Sequence, residues 1–237
     1  MKIALIGYGK MGHTIERIAI ERGHEIVLKV TSQNLDEFTT DNLKQADVAI
    51  EFTKPEAALA NITKCFDAGV SVVCGTTGWN KDFQEARALA ITHNVAFLQA
   101  SNFSIGVNIF FEINKKLAAL MNKQPDYYVT IEEIHHTEKK DAPSGTAITI
   151  AEQIVAEIDR KHKWTLDGVN KDELNITALR EPNVPGTHTV TYNSAVDKLD
   201  FVHTAHNRDG FALGAVLAAE FLNDKSGVFE MKDVLGI

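Results

Sequence analysis

The sequence has few cysteines, no long apolar run and no excess of basic charge. Of its 237 residues only two are cysteines, Cys65 and Cys74, and neither has a CxxC partner or a metal-ligand spacing. We therefore predict neither a disulfide framework nor a zinc site. No apolar run approaches the ~20 residues of a membrane-spanning helix. Lys2 is the one charged residue before the short apolar stretch that Gly7 follows, a pattern that is not typical of a signal peptide. These absences predict a cytoplasmic protein without a membrane segment.

The charge balance argues against one large class of partners. The chain carries 24 lysines and arginines against 32 acidic residues, a formal net charge of -8. Nucleic-acid binding needs a basic patch, and the basic residues here are scattered among acidic ones, so we expect no nucleic-acid partner. A small anionic substrate is compatible with this balance, because charges are screened over about 8 Å at physiological salt.

The first hundred residues alternate between short apolar runs and amphipathic helical stretches. The run at 2–6 is nearly all apolar and ends at a glycine, as in a strand buried on both faces. Alternating strands and helices indicate βαβ crossovers and a doubly wound parallel sheet, an α/β fold. The predicted strands cover 2–6, 25–30, 48–52, 70–74 and 95–99, and the predicted helices begin at Met11, Pro55 and Lys81.

The pattern changes near residue 101. Strand-like runs now follow one another with few helices between them, which indicates a second, α+β domain with an antiparallel or mixed sheet. A last helical stretch can return the chain to the first domain. We therefore expect one domain from 1–103 with 209–237, and a second from 104–208. The predicted elements of the second half are helices at 105–120, 146–158 and 211–222 and strands at 127–134, 174–179, 187–192 and 198–204.

A GxGxxG motif lies between the first predicted strand and the first predicted helix. In a dinucleotide-binding turn, Gly7 permits the tight turn, Gly9 lets the backbone approach a pyrophosphate, and Gly12 allows close packing of the helix. The helix start at Lys10 and Met11 supplies unpaired N–H groups for that anion. The motif predicts a Rossmann-type domain that binds a dinucleotide. The alternative is a glycine-rich turn that only packs.

The choice between the two nicotinamide cofactors stays open. An acid that binds the ribose is expected at the end of the second strand, where this sequence has Thr31, Ser32 and Gln33. The absence of this acid weakly favours NADPH, because no carboxylate there would repel the 2′-phosphate. Lys29 could add a cation or simply be a solvated strand residue. We therefore expect either NADPH or NADH.

Gly75, Thr76 and Thr77 follow the fourth predicted strand. They lie at its carboxyl end, the edge at which open α/β sheets bind ligands. Backbone groups and two threonine hydroxyls offer hydrogen bonds to a bound molecule there. The alternative is a strand-to-helix turn in which the threonines act as local caps.

The segment 133–147 has the densest chemistry in the chain. Histidine can transfer protons near neutral pH, because its unperturbed pKa is about 6.5. Adjacent residues of an extended segment point to opposite sides, so His135 and His136 should have different roles. Ser144 is a natural N-cap, and the helix start behind it suits a carboxylate that Lys139 would also attract. The alternative is a solvated loop, and the spacing does not favour a metal.

This segment resembles the bacterial dihydrodipicolinate reductases, the 4-hydroxy-tetrahydrodipicolinate reductases of lysine and diaminopimelate synthesis. The resemblance rests on the long run Glu-x-His-His-x-x-Lys-x-Asp-Ala-Pro-Ser-Gly-Thr-Ala at 133–147, and it covers essentially the whole chain. Further matching motifs lie at Gly7–Gly12, Glu51–Pro55, Gly75–Gly78 and Ala100–Asn108, and more loosely at Arg180, Gly186–His188 and His203–Phe211.

The resemblance implies a reductase that adds hydride from NADPH or NADH, and a proton, to a cyclic imine dicarboxylate. It implies His135 as the proton donor and Lys139 as a residue that binds the substrate. The first domain would bind the dinucleotide, and the second would bind the substrate and form a homotetramer. The resemblance also implies that His136, Gly145 and Thr146 hold the carboxylates and that Gly75, Thr76, Thr77, Ala100, Asn102 and Phe103 face the nicotinamide.

Two features depart from the family's pattern. The segment 31–46 is too short for a full helix, and the acid common after the second strand is missing. Two other functions are alternatives. One is a different two-domain amino-acid or sugar dehydrogenase, which would lack the run at 133–147. The other is a cofactor-binding sensor without chemistry, which would have no need of His135 together with Lys139.

Overall fold

The computed structural model of the chain describes residues 1–166, 168 and 170–237. The chain forms two compact units, Met1–Ile105 with Arg208–Ile237, and Gly106–Asn207. It leaves the first unit once and returns to it for its last segment. The binding roles expected of the two domains stay predictions.

The sheet of the first unit has six parallel strands: β1 (Lys2–Ile6), β2 (Glu25–Val30), β3 (Val48–Glu51), β4 (Ser71–Cys74), β5 (Ala96–Gln99) and β11 (Gly227–Phe229). Their order is β11-β5-β4-β3-β1-β2, so the winding reverses between β1 and β3. Ligands of open parallel sheets bind at the carboxyl ends of the strands beside such a reversal. This architecture confirms the predicted Rossmann-type, doubly wound α/β fold.

Helices lie against both faces of this sheet: α1 (Lys10–Glu21), α2 (Thr40–Leu43), α3 (Pro55–Asp67), α4 (Phe83–Thr92), α7 (Asp209–Leu222) and α8 (Met231–Leu235). Alternate residues of β1 therefore enter two separate apolar cores. Ala4 and Ile6 pack with residues of α3 and α4, whereas Ile3 and Leu5 pack with residues of α1 and α7. This double burial explains why the strand is apolar at successive positions.

The second unit contains a mixed five-stranded sheet and two helices: β6 (Tyr128–His135), β7 (Lys163–Leu166), β8 (Glu173–Arg180), β9 (Gly186–Asn193), β10 (Lys198–Ala205), α5 (Ile105–Asn122, whose first residue belongs to the first unit) and α6 (Gly145–Glu157). The strand order is β10-β9-β6-β8-β7. The pairs β10–β9 and β9–β6 are antiparallel, and β6–β8 and β8–β7 are parallel. The predicted α+β architecture with a mixed sheet is confirmed.

One face of the central strand β6 is buried along its length, and its side chains change from apolar to polar toward the end of the strand. Ile131 packs with residues of α5 and α6, and Glu133 and His135 continue the same face because side chains alternate along a strand. The strand register places Glu133 opposite His188 of β9, which in turn pairs with His203 of β10. His135, His188 and His203 thus lie together at one end of this sheet face.

Four short elements were missing from the sequence analysis: α2, α8, β7 and β11. Each has five residues or fewer, too few for a periodic pattern to stand out. The helix predicted from Lys81 begins instead as a 3-10 turn at Asn80–Asp82, which α4 continues. Among the described residues, no helix combines the length and the apolar composition needed to cross a bilayer.

Candidate active site

The turn after β1 has a geometry that requires its glycines. Gly7 has a φ of 96°, and a Cβ there would lie 2.0 Å from the carbonyl oxygen of Phe52. A Cβ at Gly12 would lie 2.7 Å from the carbonyl oxygen of Gly7. Neither position can accept a side chain without a shift of the backbone. A Cβ at Gly9 would instead meet nothing within 4 Å, so the backbone there faces open space.

That space belongs to a cavity of about 420 Å³ in the first unit. Helix α1 begins at its wall, and no side chain caps the helix start, so its first N–H groups and its positive dipole end suit a phosphate. The cradle therefore fits a dinucleotide pyrophosphate. Two loops predicted to bind the cofactor meet here, since the lining residues are Gly9, Lys10, Met11, Gly12, Phe52, Thr53, Pro55, Gly75, Thr76 and Thr77.

Thr76 lines the cavity, but its hydroxyl already has partners within the protein. Its side chain is buried, and its hydroxyl donates to Glu51 Oε2 at 2.7 Å. The hydroxyl oxygen of Thr76 also accepts the N–H of Thr53 at 2.8 Å. Its carbonyl oxygen accepts the indole N–H of Trp79 at 2.8 Å. The hydroxyl is thus engaged within the protein, whereas Thr77 beside it is exposed.

The loop from Ala100 to Phe103 lies at the same sheet edge, but it does not line the cavity. The N–H of Ala100 donates to the carbonyl oxygen of Cys74 at 3.2 Å, and the side chain of Asn102 accepts the N–H of Ser104 at 2.9 Å. Phe103 is 2% exposed and belongs to the core beneath α1 and α7. Its ring is therefore a packing group of that core.

The end of β2 forms a polar turn without an acid at the expected position. Asn34 accepts both the N–H and the hydroxyl of Thr31, at 2.7 and 2.8 Å, and Ser32 is exposed. Lys29 forms an ion pair with Glu16 at 2.6 Å, so its charge is already compensated. The structure at the end of β2 therefore favours neither NADPH nor NADH.

A buried carboxylate, Glu133, is the centre of the polar cluster in the second unit. Its oxygens accept the N–H of Ser144 at 3.0 and 3.2 Å. The Arg180 guanidinium lies 3.5 Å from one oxygen, and His135 Nδ1 and His188 Nε2 lie 3.5 and 3.7 Å from the other. Burial by itself would raise the pKa of this carboxyl group, but the contacts with His188, Ser144 and His135 lower it to about 2. Glu133 is therefore ionised at neutral pH.

His135 is buried beside this carboxylate. Burial and the neighbouring His188 lower the pKa of His135 to about 4, against the opposing attraction of Glu133. The two imidazole rings meet edge to face, with 5.1 Å between their centroids. Gly186 makes room for the ring, because a Cβ there would lie 3.1 Å from Nε2. In this site His135 is consequently a neutral imidazole at neutral pH.

The loop between β6 and α6 carries a cation and a helix start. The Lys139 ammonium donates to both carboxylate oxygens of Asp141 at 2.8 Å. Arg180 fastens the loop through the carbonyl oxygens of Asp141 and Lys139, at 2.5 and 3.3 Å. Ser144 caps α6 by accepting the N–H of Ala147 at 3.1 Å. An incoming carboxylate can therefore meet the backbone N–H groups at the start of α6, and it would compete with Asp141 for the Lys139 ammonium.

The remaining predicted substrate residues lie in the same loop and first turn. His136 follows the last residue of β6 and is half-buried, unlike the buried His135. Its carbonyl oxygen accepts the N–H of Lys139 at 3.1 Å. Gly145 is exposed and Thr146 is buried in the first turn of α6. The substrate residues implied by the resemblance are thus brought together, while their roles stay predictions.

Three groups of this cluster have the chemistry of metal ligands. Atoms of Glu133, His135 and His188 lie within 4.8 Å of one another, and carboxylate oxygens and histidine nitrogens are zinc ligands. The same carboxylate already has the Arg180 guanidinium and the Ser144 N–H beside it. We therefore interpret the three groups as a charge network around His135.

Comparison with known proteins identifies the family. The profile described as dihydrodipicolinate reductase, N-terminus, matches residues 1–103, and the corresponding C-terminal profile matches residues 106–235. This chain belongs to the dihydrodipicolinate reductase family. A relative from Christiangramia forsetii, named 4-hydroxy-tetrahydrodipicolinate reductase, is 54% identical over 99% of this chain and 98% of its own length. A relative of the same name from Alkaliphilus metalliredigens is 35% identical, with both chains fully covered.

A solved structure has the same fold. The dipicolinate-bound dihydrodipicolinate reductase from Paenisporosarcina sp. TG-14 matches with a TM-score of 0.75 and 23% identity, over 97% of both chains. Membership of the family confirms the resemblance carried by 133–147 and makes the chain an oxidoreductase, not a sensor without chemistry. Reductases of this family use NAD(P)H and act in lysine and diaminopimelate biosynthesis.

Several polar residues of the two clusters lie in motifs of the family resemblance, which gave them no role. Glu51 and Glu133 appeared within family motifs, and Arg180 and His188 appeared in the looser pattern. One signal could have found Glu133: it stands in phase with the apolar residues of β6, where an acid is unexpected. The contacts of Arg180 and His188 depend on strand register, which the sequence alone does not specify.

Proposed function

We propose that this chain reduces 4-hydroxy-tetrahydrodipicolinate to tetrahydrodipicolinate with NADPH or NADH in the cytoplasm. The observation that carries the proposal is the loop between β6 and α6, in which Lys139 and the capped start of α6 follow the buried His135. A cyclic imine with two carboxylates needs a proton donor for its ring and positive or N–H groups for its carboxylates. The relative that is 54% identical bears the name of this activity, and the Paenisporosarcina enzyme was solved with dipicolinate bound.

In the proposed reaction the substrate gains one hydride and one proton and loses its 4-hydroxyl group as water. The bound nicotinamide supplies the hydride. Lys139, His136 and the N–H groups of Gly145 and Thr146 hold the two carboxylates and so fix the ring. His135 gives the proton that neutralises the charge which hydride addition places on the conjugated imine. A positioned general acid of this kind contributes typically 10²–10⁴-fold in rate.

Proton donation by His135 requires that the substrate change the charge of its surroundings. With a pKa of about 4, the imidazole of the empty site carries no extra proton at neutral pH. Two substrate carboxylates near the ring would favour its protonated form. Binding of the dianion and protonation of His135 are therefore coupled.

The proposal includes a homotetramer that assembles through the second unit. One face of its sheet presents exposed apolar side chains: Val202 is 51% exposed, Tyr128 42% and Leu179 38%. Strand β10 has eight residues and is the last strand at one side of the sheet. Long edge strands and apolar faces favour association with another chain. Val202→Asp should shift the protein to smaller species in sedimentation, and an unchanged tetramer would exclude this face.

The proposed activity can be tested with the substrate made in the cuvette. A purified upstream synthase condenses pyruvate with aspartate semialdehyde, and the oxidation of NADPH or NADH is followed by absorbance at saturating synthase. We expect oxidation only when synthase and reductase are both present. His135→Gln is the matched control, because it keeps a polar side chain of similar size. Cofactor binding without synthase-dependent oxidation would overturn the proposal.

A further inference from the structure

The first unit holds a buried carboxyl group, Glu51, beneath the cavity of the glycine turn. It is the last residue of β3 and is fully buried. One oxygen accepts the Thr76 hydroxyl at 2.7 Å and the Cys74 thiol at 3.2 Å. The other accepts the Asn61 amide at 3.3 Å and the Thr53 hydroxyl. Among the residues that the structure describes, these four hydrogen-bond donors are all neutral, although a buried carboxyl group is costly unless it is well paired.

Glu51 fixes the direction of the Thr76 hydroxyl. A hydroxyl has one hydrogen, and Thr76 gives it to Glu51 while its oxygen accepts the N–H of Thr53. The indole of Trp79 holds the carbonyl oxygen of the same residue. Thr76 is thus anchored through both its side chain and its backbone, and the loop that lines the cavity is anchored with it.

The same carboxyl group also reaches the strand that precedes the loop. Burial and the neighbouring Glu51 raise the pKa of the Cys74 thiol well above its ordinary value, so the thiol keeps its proton and can donate it. The carbonyl oxygen of Cys74 accepts the N–H of Ala100. Glu51 therefore links the ends of β3 and β4 to both loops that are expected to face the nicotinamide.

We propose that Glu51 is a positioning residue for the cofactor, which holds Gly75–Thr77 in the shape that receives the nicotinamide half of NAD(P)H. This inference rests on the proposed function. Glu51 does not touch the cofactor, because its side chain is covered by Thr76 and Thr53. Only a carboxylate offers two acceptor oxygens and no donor. A glutamine would turn an N–H₂ group toward one pair of donors and leave that pair without an acceptor.

The test is the Glu51→Gln variant of the full-length protein. Dissociation constants for NADPH and NADH are measured by fluorescence titration, and the KM for each substrate is measured in the synthase-coupled assay. We expect the cofactor dissociation constants to rise at least tenfold while the KM for the dicarboxylate changes less than twofold. A lower melting temperature with unchanged cofactor affinity would show a merely structural role and overturn the proposal.

A matched pair at Thr76 keeps the inference testable if Glu51→Gln does not fold. Thr76→Val preserves the volume and removes the hydroxyl, so we expect it to weaken cofactor binding as Glu51→Gln does. Thr76→Ser keeps the hydroxyl, so we expect it to bind the cofactor more tightly than Thr76→Val does. Equal affinity of both variants for NADPH would overturn the inference. If the wild-type protein bound neither cofactor, the proposed function would fail as well, so the two failures are distinguishable.

Discussion

Replacing Glu133 with glutamine removes the negative charge beside His135 while it preserves shape. The amide oxygen can still accept the N–H of Ser144, so the cap of α6 is retained. His135 Nδ1 lies 3.5 Å from Glu133 Oε2. Two unit charges about 4 Å apart interact by about 4 kcal/mol at an effective dielectric constant of 20, which corresponds to about three pKa units. The Arg180 guanidinium beside the other oxygen offsets part of this, so we expect the pKa of His135 in the substrate complex to fall by about one to three units.

The expected kinetic effect follows from the fraction of His135 that is protonated. Above its pKa this fraction falls tenfold for each unit that the pKa is lowered, so kcat should fall about ten- to a thousandfold at neutral pH. The alkaline limb of the pH profile, where the acid loses its proton, should move to lower pH by the same number of units. The assay is the synthase-coupled oxidation of NADPH at saturating substrate from pH 5.5 to 9.

A double-mutant cycle decides whether Glu133 acts through His135. If it does, Glu133→Gln should have little further effect in a His135→Gln background, because interacting residues are not additive. The melting temperature of each variant controls for folding. Additive losses in the double variant, or an unchanged pH profile in Glu133→Gln, would refute the reasoning.

Three further changes test other parts of the two sites. Lys139→Ala should raise the KM for the dicarboxylate roughly five- to a thousandfold in steady-state assays. The reason is that a cation within 4 Å of a carboxylate contributes about 1 to 4 kcal/mol. An unchanged KM would contradict the substrate-binding role of Lys139. Ser32→Asp should lower kcat/KM for NADPH more than for NADH, since a carboxylate at the end of β2 repels a 2′-phosphate, and equal changes would show that this turn does not face the ribose. His135 has a folded pKa of about 4 against an ordinary value of 6.5, so unfolding takes up a proton between these values and stability should fall as pH drops from 6.5 to 4. The fall is measured as the urea midpoint of unfolding at each pH. In His135→Gln the midpoint should depend less on pH, and an equal pH dependence would show that another group takes up the proton.

The first unit could be predicted from sequence because its signals are local. Apolar runs before glycine, and helices that start at Pro55 or end near Gly23, depend on residues close together in the chain. The second unit was predicted only by class, since antiparallel and parallel pairing of β6 with its neighbours depends on register. Strands as short as β7 and β11 carry too few residues for any periodicity.

The residues of the candidate site could be named from the sequence, whereas most of their contacts could not. The segment from His135 to Gly145 is continuous, so its chemistry could be read without the fold. Thr76 shows the limit: its hydroxyl looked suited to a ligand, but the structure engages it with Glu51, 25 residues away in the chain. Phe103 was likewise grouped with the cofactor residues, whereas its ring packs in the core.

Glu51 and Glu133 follow one physical logic in two different units. Each is a fully buried acid at the carboxyl end of a strand in its sheet, and each accepts hydrogen bonds from the loop that follows or neighbours that end. Apolar side chains of similar volume are often at least as stabilising as a buried charge, so stability by itself gives no reason for either acid. An acid can instead order several donors at once, and a donor left without a partner in the interior costs about 1 to 3 kcal/mol. The two carboxyl groups thus each hold a loop of their own unit in one arrangement.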